Sequence, residues 1–284
     1  SHPELYFNHW AKPLYAFLAS PFAQFGFLGI KVFNVIVSSF SIFFTYKIAQ
    51  KLSIPNSLLA AVILIFTPFS YVLTFSGLTE PLFALFITAG IYAVIRKNFV
   101  LACIVISFLP FIRSEGLLFI GVFGLYYLLN KKWKLLPWLT FGHIIYSIAG
   151  YFYHNDILWV FNKIPYAKLS SSYGSGELFH FVYQLIIVVG VPIYILFWIG
   201  FISLILKWVK NKIPSEISVL ILFSFIVFFT SHSLFWYYGI FNSMGLIRVL
   251  VGIAPLISLI ALLGYNFITE DVFKNKIYKI RPII

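Results

Sequence analysis

The chain has 284 residues, of which 61% are hydrophobic and only 10% are charged. Soluble domains carry about 25% charged residues, so this composition excludes an ordinary soluble domain and predicts an all-helical, polytopic transmembrane protein. The net charge of +12 would favour a nucleic-acid partner only if the basic residues formed one binding surface, and their positions along the chain argue against that.

Long apolar runs follow one another along the sequence, and several approach or exceed the roughly 17–25 residues that a helix needs to cross a bilayer. The runs are continuous, whereas the strands of a membrane β-barrel give alternating segments of about 10 residues. Cys103 is the one cysteine, so no disulfide forms within the chain. No Cys/His spacing typical of a metal site occurs.

Basic residues lie in short clusters between the apolar runs, and the positive-inside rule places such clusters in the cytoplasm. Neighbouring clusters must then be joined by an even number of crossings. The five clusters contain Lys47 and Lys51; Arg96 and Lys97; Lys131, Lys132 and Lys134; Lys207, Lys210 and Lys212; and Lys274, Lys276, Lys279 and Arg281.

This constraint predicts about nine spans within one transmembrane domain, 1–284, whose N-terminus lies outside. In chain order the spans lie near 27–46, 57–78, 81–95, 99–112, 117–129, 135–153, 180–206, 215–231 and 248–267. A single helix between Lys97 and Lys131 would be about 45 Å long and would put its basic ends on opposite sides. Two short helices, broken at Arg113, satisfy both requirements.

Three segments lie outside these spans. Residues 1–26 form an outer segment in which an amphipathic, proline-broken helix with Trp10, Tyr15 and Phe17 lies along the membrane surface; the alternative is a tenth span. Residues 154–179 form an outer loop, and residues 268–284 form a cytoplasmic tail.

Acidic residues and histidines support this topology independently, because most of them fall on the outer side. The outer residues are Glu4, Glu80, Glu115, Asp156, Glu177, His2, His9, His154, His180 and His232, whereas Glu216, Glu270 and Asp271 fall inside. The basic excess is therefore a topology signal and not the footprint of a nucleic acid.

Glu80, Arg113 and Glu115 occupy outer turns between short helices of about 15 residues, which span only about 22 Å. Their turns should lie below the lipid headgroups, where polar groups need protein partners or water. We expect a recessed vestibule open to the outside and lined by these three side chains. The alternatives are ordinary acids at helix N-termini and a local Arg113–Glu115 pair.

Four further residues are candidates for substrate binding. Lys168 and Tyr173 lie in the Gly/Ser-rich outer loop, which is alternatively a simple connector. Arg248 begins the last span, where a guanidinium can bind a phosphate through two hydrogen bonds or extend to lipid headgroups. His232 lies in the preceding aromatic segment and is either a substrate ligand or a structural histidine.

Four stretches resemble the GT-C superfamily of membrane glycosyltransferases, which includes protein O-mannosyltransferases and the aminoarabinose transferases of lipid A. In order they are KPLYAFLASPFAQFG before the first clear span, SGLTEPLFALFITAGIYAV with an acidic turn, PFIRSEG with an Arg-x-Glu-Gly turn, and SMGLIRVLVGIAPLISLIALLG, which opens a late span with an arginine. The order and spacing of these motifs are more specific than any one of them.

The resemblance implies a multi-pass enzyme of the cell (inner) membrane. It would move a hexose, such as mannose, from a polyprenyl-phosphate carrier to an acceptor lipid, glycan or protein on the outer face. No cofactor is implied, and a divalent metal is left open because one branch of the superfamily uses one; the few acids here do not favour it. No nucleic-acid partner is implied.

Site residues carry over from the family by motif. Glu80 matches the second acid, which orients the acceptor or assists the base, and Arg248 matches the late arginine that binds the carrier phosphate. Arg113 and Glu115 would shape the sugar pocket. His9 and Lys12 would bind substrate from the segment that leads into the site. The family's usual base is an aspartate after the first span, which is expected to precede Ser1.

Other functions remain open from the sequence. A transporter or lipid flippase would place ionisable groups near mid-membrane and would show paired repeats. An O-antigen ligase or polymerase would share the outer active face but carry a larger loop with paired arginines. A non-catalytic membrane scaffold would tolerate the loss of Glu80 and Arg248.

Overall fold

The structure is a computed structural model that describes residues 3–164, 172–210 and 212–269. Every regular element in these ranges is a helix, which confirms the predicted helical architecture for them. The predicted binding residue Lys168, residues 165–171 of the predicted outer loop and residues 270–284 of the predicted tail lie outside the described residues.

Thirteen α-helices make up most of the described chain. They are α1 (Pro13–Ala23), α2 (Gly26–Lys51), α3 (Leu58–Ile65), α4 (Pro68–Thr74), α5 (Glu80–Ile95), α6 (Phe99–Ser107), α7 (Gly116–Leu129), α8 (Phe141–His154), α9 (Trp159–Asn162), α10 (His180–Val189), α11 (Val191–Val209), α12 (Ser224–Tyr238) and α13 (Ala254–Asn266). Short 3-10 helices cover Pro3–Phe7, His9–Ala11, Leu109–Phe111, Trp133–Thr140 and Ile247–Ile253, and a π-helix covers Glu216–Phe223.

Five helical segments in the described part are long and apolar enough to cross a membrane. They are Gly26–Lys51, Trp133–His154, Val191–Val209, Ser215–Tyr238 and Ile247–Thr269. Five shorter apolar helices, each too short for that criterion, are Pro13–Ala23, Glu80–Ile95, Phe99–Phe111, Gly116–Leu129 and His180–Val189. Helix lengths thus separate into a long class and a short class.

Two predicted helices are broken, so their predicted continuity is wrong. The predicted span 57–78 divides into α3 and α4 because Thr67 is extended and Pro68, which has no N–H to donate, begins the second helix. The predicted span 180–206 divides into α10 and α11 at Gly190, whose φ of +79° suits glycine. Both breaks lie inside apolar runs, where hydropathy alone gives no signal.

Helix α13 lies at the centre of the packing, and α2 lies at its edge with much of its surface exposed. Gly200 of α11 and Gly264 of α13 make their two helices approach closely. A Cβ atom added to Gly200 would overlap the carbonyl oxygen of Ile260, and one added to Gly264 would overlap that of Leu196. Small residues of this kind allow close helix packing in membrane proteins.

Candidate functional site

The start of α5 buries a carboxylate. Glu80 is the first residue of the helix, Pro81 follows at the position where proline is best tolerated, and the Glu80 side chain is only 1% exposed. The turn before it is fixed by Asn34 of α2, whose Nδ2 atom donates to the carbonyl oxygens of Ser76 at 2.7 Å and Leu78 at 3.0 Å. Asn34 therefore holds the backbone from which Glu80 projects.

A second turn brings an arginine and another carboxylate to the same place. Arg113 and Glu115 lie between a short 3-10 helix and α7, which begins at Gly116. A Cβ atom on Gly116 would overlap the backbone of Leu109, so this tight turn requires glycine. The Arg-x-Glu-Gly sequence thus encodes both the charged groups and the turn that positions them.

Arg113 bridges the two carboxylates. Its Nη1 atom lies 2.7 Å from Glu80 Oε1, a close ion pair that lacks hydrogen-bond geometry. Its Nη2 atom donates to Glu115 Oε1 at 2.9 Å, and Nη1 also donates to Thr79 Oγ1 at 3.3 Å. The guanidinium therefore links the starts of α5 and α7.

Two more predicted residues join this group. Arg248, in the 3-10 helix Ile247–Ile253, places its Nε atom 3.5 Å from Glu80 Oε1, and its side chain is 40% exposed. His232 of α12 is buried, with Nε2 3.7 Å from Glu115 Oε1. We call Glu80, Arg113, Glu115, His232 and Arg248 the charged cluster.

Burial and neighbouring charges shift the pKa values of Arg113 and Glu115 in opposite directions. Burial raises the pKa of Glu115, but Arg113, aided by His232 and Lys12, outweighs it and holds that pKa well below its usual range. Burial lowers the pKa of Arg113, but Glu115 and Glu80 more than offset it, so the guanidinium stays charged. The pair is therefore ionised at neutral pH.

Lys12 is electrostatically coupled to the cluster. Burial lowers its pKa to about 8, Arg113 adds to the effect, and Glu115 and Glu80 oppose it. With Lys12 protonated, the two carboxylates face three cations, Arg113, Arg248 and Lys12. Loss of the Lys12 proton would remove the excess positive charge.

Two other predicted residues, His9 and Tyr173, lie outside the cluster. His9 packs against Trp159, with ring centroids 5.1 Å apart, in a group of aromatic and histidine side chains. Tyr173 lies in the loop segment before α10 with its side chain about half exposed. Lys168 is outside the described residues.

An open vestibule lined by Glu80, Arg113 and Glu115 was the expectation, and the structure differs. Their side chains are 1%, 12% and 15% exposed, and Arg113 forms an ion pair with each of the two carboxylates. Oppositely charged groups that are buried together gain more from pairing than from partial hydration, since attraction strengthens in a low dielectric. The sequence showed that partners were needed but could not show that the three would pair.

Asn34 and Thr79 contribute to this site, and the sequence analysis did not identify them. Asn34 had a visible signal, because an asparagine inside the apolar run KVFNVIV is costly unless it is hydrogen-bonded. Thr79 had none, because a threonine before a helix is common.

A groove lies beside the cluster, between α2, α4, α5 and the 3-10 helix Ile247–Ile253. It holds about 660 Å³ of space, including its open side. Its lining includes Pro81, which follows Glu80, and Val251, which lies one turn after Arg248. Serines of α2 and exposed apolar side chains such as Tyr71 complete it, so the groove is mainly apolar and opens on the outer surface of the helix bundle.

Comparisons of the chain with family models, curated proteins and solved structures found no match. Within residues 3–164, 172–210 and 212–269, no group of three or more His, Cys, Asp or Glu side chains is arranged to hold a metal ion. Function is therefore argued from the charged cluster and its surroundings.

Proposed function

We propose that the protein is a membrane glycosyltransferase that moves a hexose from a polyprenyl-phosphate carrier to an acceptor on the outer face of the cell membrane. One observation carries the proposal: a half-exposed arginine, Arg248, contacts a buried carboxylate, Glu80, close to a mainly apolar groove that is lined by Pro81 and Val251. A phosphate on a hydrocarbon chain matches both features. The resemblance to GT-C enzymes points to the same donor.

The groove suits the hydrocarbon part of the donor. Its apolar side chains would cover an isoprenoid chain, and burial of each CH₂ group is worth about 0.8 kcal/mol. Since Val251 lines the groove and Arg248 lies one turn earlier, a chain in the groove would bring its phosphate to the guanidinium. Arginine suits this role because its planar donors match phosphate oxygens.

The transfer step requires one group at the leaving phosphate and another at the acceptor hydroxyl. The acceptor hydroxyl oxygen forms a bond to C1 of the sugar, the bond from C1 to the phosphate oxygen breaks, and the carrier phosphate leaves with the electron pair. Arg248 stabilises the charge that develops on that phosphate. The acceptor proton passes to a carboxylate base, a role that the resemblance gives to an aspartate with no match in this sequence.

Glu80 orients the acceptor in this scheme. Its Oε1 atom contacts Arg113 and Arg248, while Oε2 is buried and has no hydrogen-bond partner in the described ranges. A carboxylate oxygen is an acceptor only, so the hydroxyl of the incoming substrate is a suitable donor to Oε2. Arg113 and Glu115 hold the carboxylate in place and border the sugar.

The proposal includes the full topology of nine crossings with the N-terminus outside. The five residues of the charged cluster then share the outer compartment, where a lipid-borne donor is available and sugar nucleotides are not. Helix α1 lies in the outer interface, which the exposure of Trp10 and Phe17 supports, whereas Tyr15 is buried and donates to Asn34 Oδ1 at 3.3 Å.

Transfer assays with the full chain in membranes test the function. Membranes are incubated with a radiolabelled polyprenyl-phosphate hexose, and label reaching lipid, glycan and protein fractions is counted. Glu80→Gln is expected to lower transfer at least about tenfold, because it removes the charge that anchors Arg248 and weakens the acceptor contact. Glu216→Gln is the matched control, since Glu216 pairs with Tyr126 instead.

Equal transfer by Glu80→Gln and wild type, at equal protein level, would remove Glu80 from the site. Absence of transfer from every polyprenyl-phosphate hexose offered would remove the proposed function. Labelling that places Glu80 and Arg248 in different compartments would exclude the shared outer site.

Donor binding is expected to weaken as the pH rises through about 8. Below that pH Lys12 is protonated and the cluster has an excess positive charge for the anionic donor; above it the charge is lost. The donor KM should rise about tenfold between pH 7 and pH 9 if only the protonated form binds. Lys12→Arg should have a flat donor KM over this range, and a wild-type KM without pH dependence would contradict the role of Lys12.

A further inference from the structure

A second cleft lies on the other side of the charged cluster, between the N-terminal segment, the turn before α7 and helices α8 and α9. It holds about 490 Å³ of space, including its open mouth. Aromatic rings form one wall: His143 lies 5.1 Å from Phe111 and stacks on Phe161 at 5.4 Å, with 7° between the planes.

Polar groups form the other wall of the cleft. They are His9, Lys12 and Ser114. The Ser114 hydroxyl lies 3.3 Å from Glu115 Oε2, so this wall is continuous with the charged cluster. A molecule in the cleft would therefore contact aromatic rings on one side and reach the reacting groups on the other.

His9 presents an unused hydrogen-bond acceptor here. The ring bonds to the backbone of Val160, while its buried Nε2 atom has no hydrogen-bond partner among the residues that the structure describes. The free nitrogen identifies Nδ1 as the donor to Val160, which leaves Nε2 as a bare acceptor in the neutral ring. Burial lowers the pKa of His9 to about 4, so the ring is neutral at physiological pH. A buried acceptor of this kind needs a donor such as a hydroxyl.

We propose that this cleft binds a pyranose ring, and that the acceptor of the transferase is therefore a glycan. The acceptor role rests on the proposed function, whereas saccharide binding does not. A sugar ring offers a C–H face to Phe161, whose side chain is about half exposed, and hydroxyl donors to His9 Nε2. An ionised phosphate oxygen would meet a bare nitrogen lone pair, and a hydrocarbon chain would leave that nitrogen without a partner.

Saturation-transfer NMR on the full chain in lipid nanodiscs tests the cleft without requiring turnover. The probe is methyl α-mannoside, and sugar-headed detergents are excluded because they would compete. Wild-type protein should saturate the ring protons of the probe. Phe161→Ala removes an aromatic face and Leu117→Trp fills the cleft; both side chains are about half exposed, which favours folding. Each should reduce the signal at least about fivefold.

Phe152→Ala is the matched control, since Phe152 is an exposed phenylalanine of α8 that does not line the cleft. Its signal should equal that of wild type. Absence of a sugar signal in wild type, equal signals in all variants, or saturation of the methyl protons of methyl phosphate in place of the sugar would each overturn the proposal.

The two proposals fail separately. If the protein binds methyl mannoside through Phe161 but transfers no sugar, the saccharide site is supported and the enzymatic function is excluded. If the protein transfers sugar but Phe161→Ala changes neither the NMR signal nor the acceptor KM, the function is supported and this site is excluded.

Discussion

Replacing Arg113 with methionine is expected to lower the free energy of unfolding by about 3–5 kcal/mol, the range measured when one partner of a buried ion pair is removed. The guanidinium contacts Glu80 at 2.7 Å and Glu115 at 2.9 Å, and its side chain is only 12% exposed. Methionine fills much of the same volume but leaves two carboxylates close together in a poorly hydrated site. The loss is measured by equilibrium unfolding in mixed micelles with increasing SDS.

Arg248→Met is the matched control for this change. Arg248 contacts the same Glu80 oxygen, but at 3.5 Å and with 40% of its side chain exposed, so its pairing should contribute no more than about 1 kcal/mol. Adding Glu80→Gln and Glu115→Gln to Arg113→Met should recover much of the loss, because the uncompensated charges are removed. Equal stability of Arg113→Met and wild type would contradict the buried ion-pair network.

The gathering of the charged cluster was predictable in part. Short apolar runs broken at Glu80 and Arg113 place those residues in turns, and the basic clusters put both turns on one side. Two turns at the same predicted membrane depth can lie close together in the helix bundle. Which oxygen faces which nitrogen depends on helix rotation and tilt, which are set by packing against neighbouring helices, and the sequence does not contain that in readable form.

Helix continuity was the weakest part of the sequence reading. Pro68 and Gly190 both lie within long apolar stretches, and the hydropathy of those stretches predicted unbroken helices. In a soluble protein, a proline or glycine would predict a helix break more strongly. Membrane helices tolerate both residues when neighbouring groups form hydrogen bonds with the freed backbone groups. The breaks could not be placed without knowing those neighbours.

Arg248→Ala is expected to lower sugar transfer at least about a hundredfold, since removing one group that stabilises developing charge commonly costs a factor of about 10²–10³ in kcat. The guanidinium has the exposure and the position beside the groove to meet the carrier phosphate. Arg96→Ala, in the predicted cytoplasmic cluster, is the matched control and should leave transfer unchanged. Rates are measured over a range of donor concentrations up to saturation, so that kcat and donor KM are separated.

Arg248→Lys tests whether the donor site requires only a positive charge or also the planar guanidinium. Lysine retains the positive charge but lacks the planar pair of donors, so it should recover the donor KM more fully than kcat. Recovery of both would mean that a point charge is sufficient, and recovery of neither would mean that contact with Glu80 requires the guanidinium. An Arg248→Ala variant with wild-type kcat and KM would exclude Arg248 from the donor site.

The double variant Glu80→Gln/Arg248→Ala tests whether the two residues act as one unit. Glu80 Oε1 holds Arg248 Nε at 3.5 Å, so part of the loss in Glu80→Gln should come from an arginine that is no longer positioned. That part disappears once Arg248 is absent, because residues in contact show coupling of about 0.5–3 kcal/mol. The combined loss should therefore be smaller than the product of the single losses. A fully multiplicative loss would mean that Glu80 acts on the acceptor alone and that its contact with Arg248 has no role in transfer.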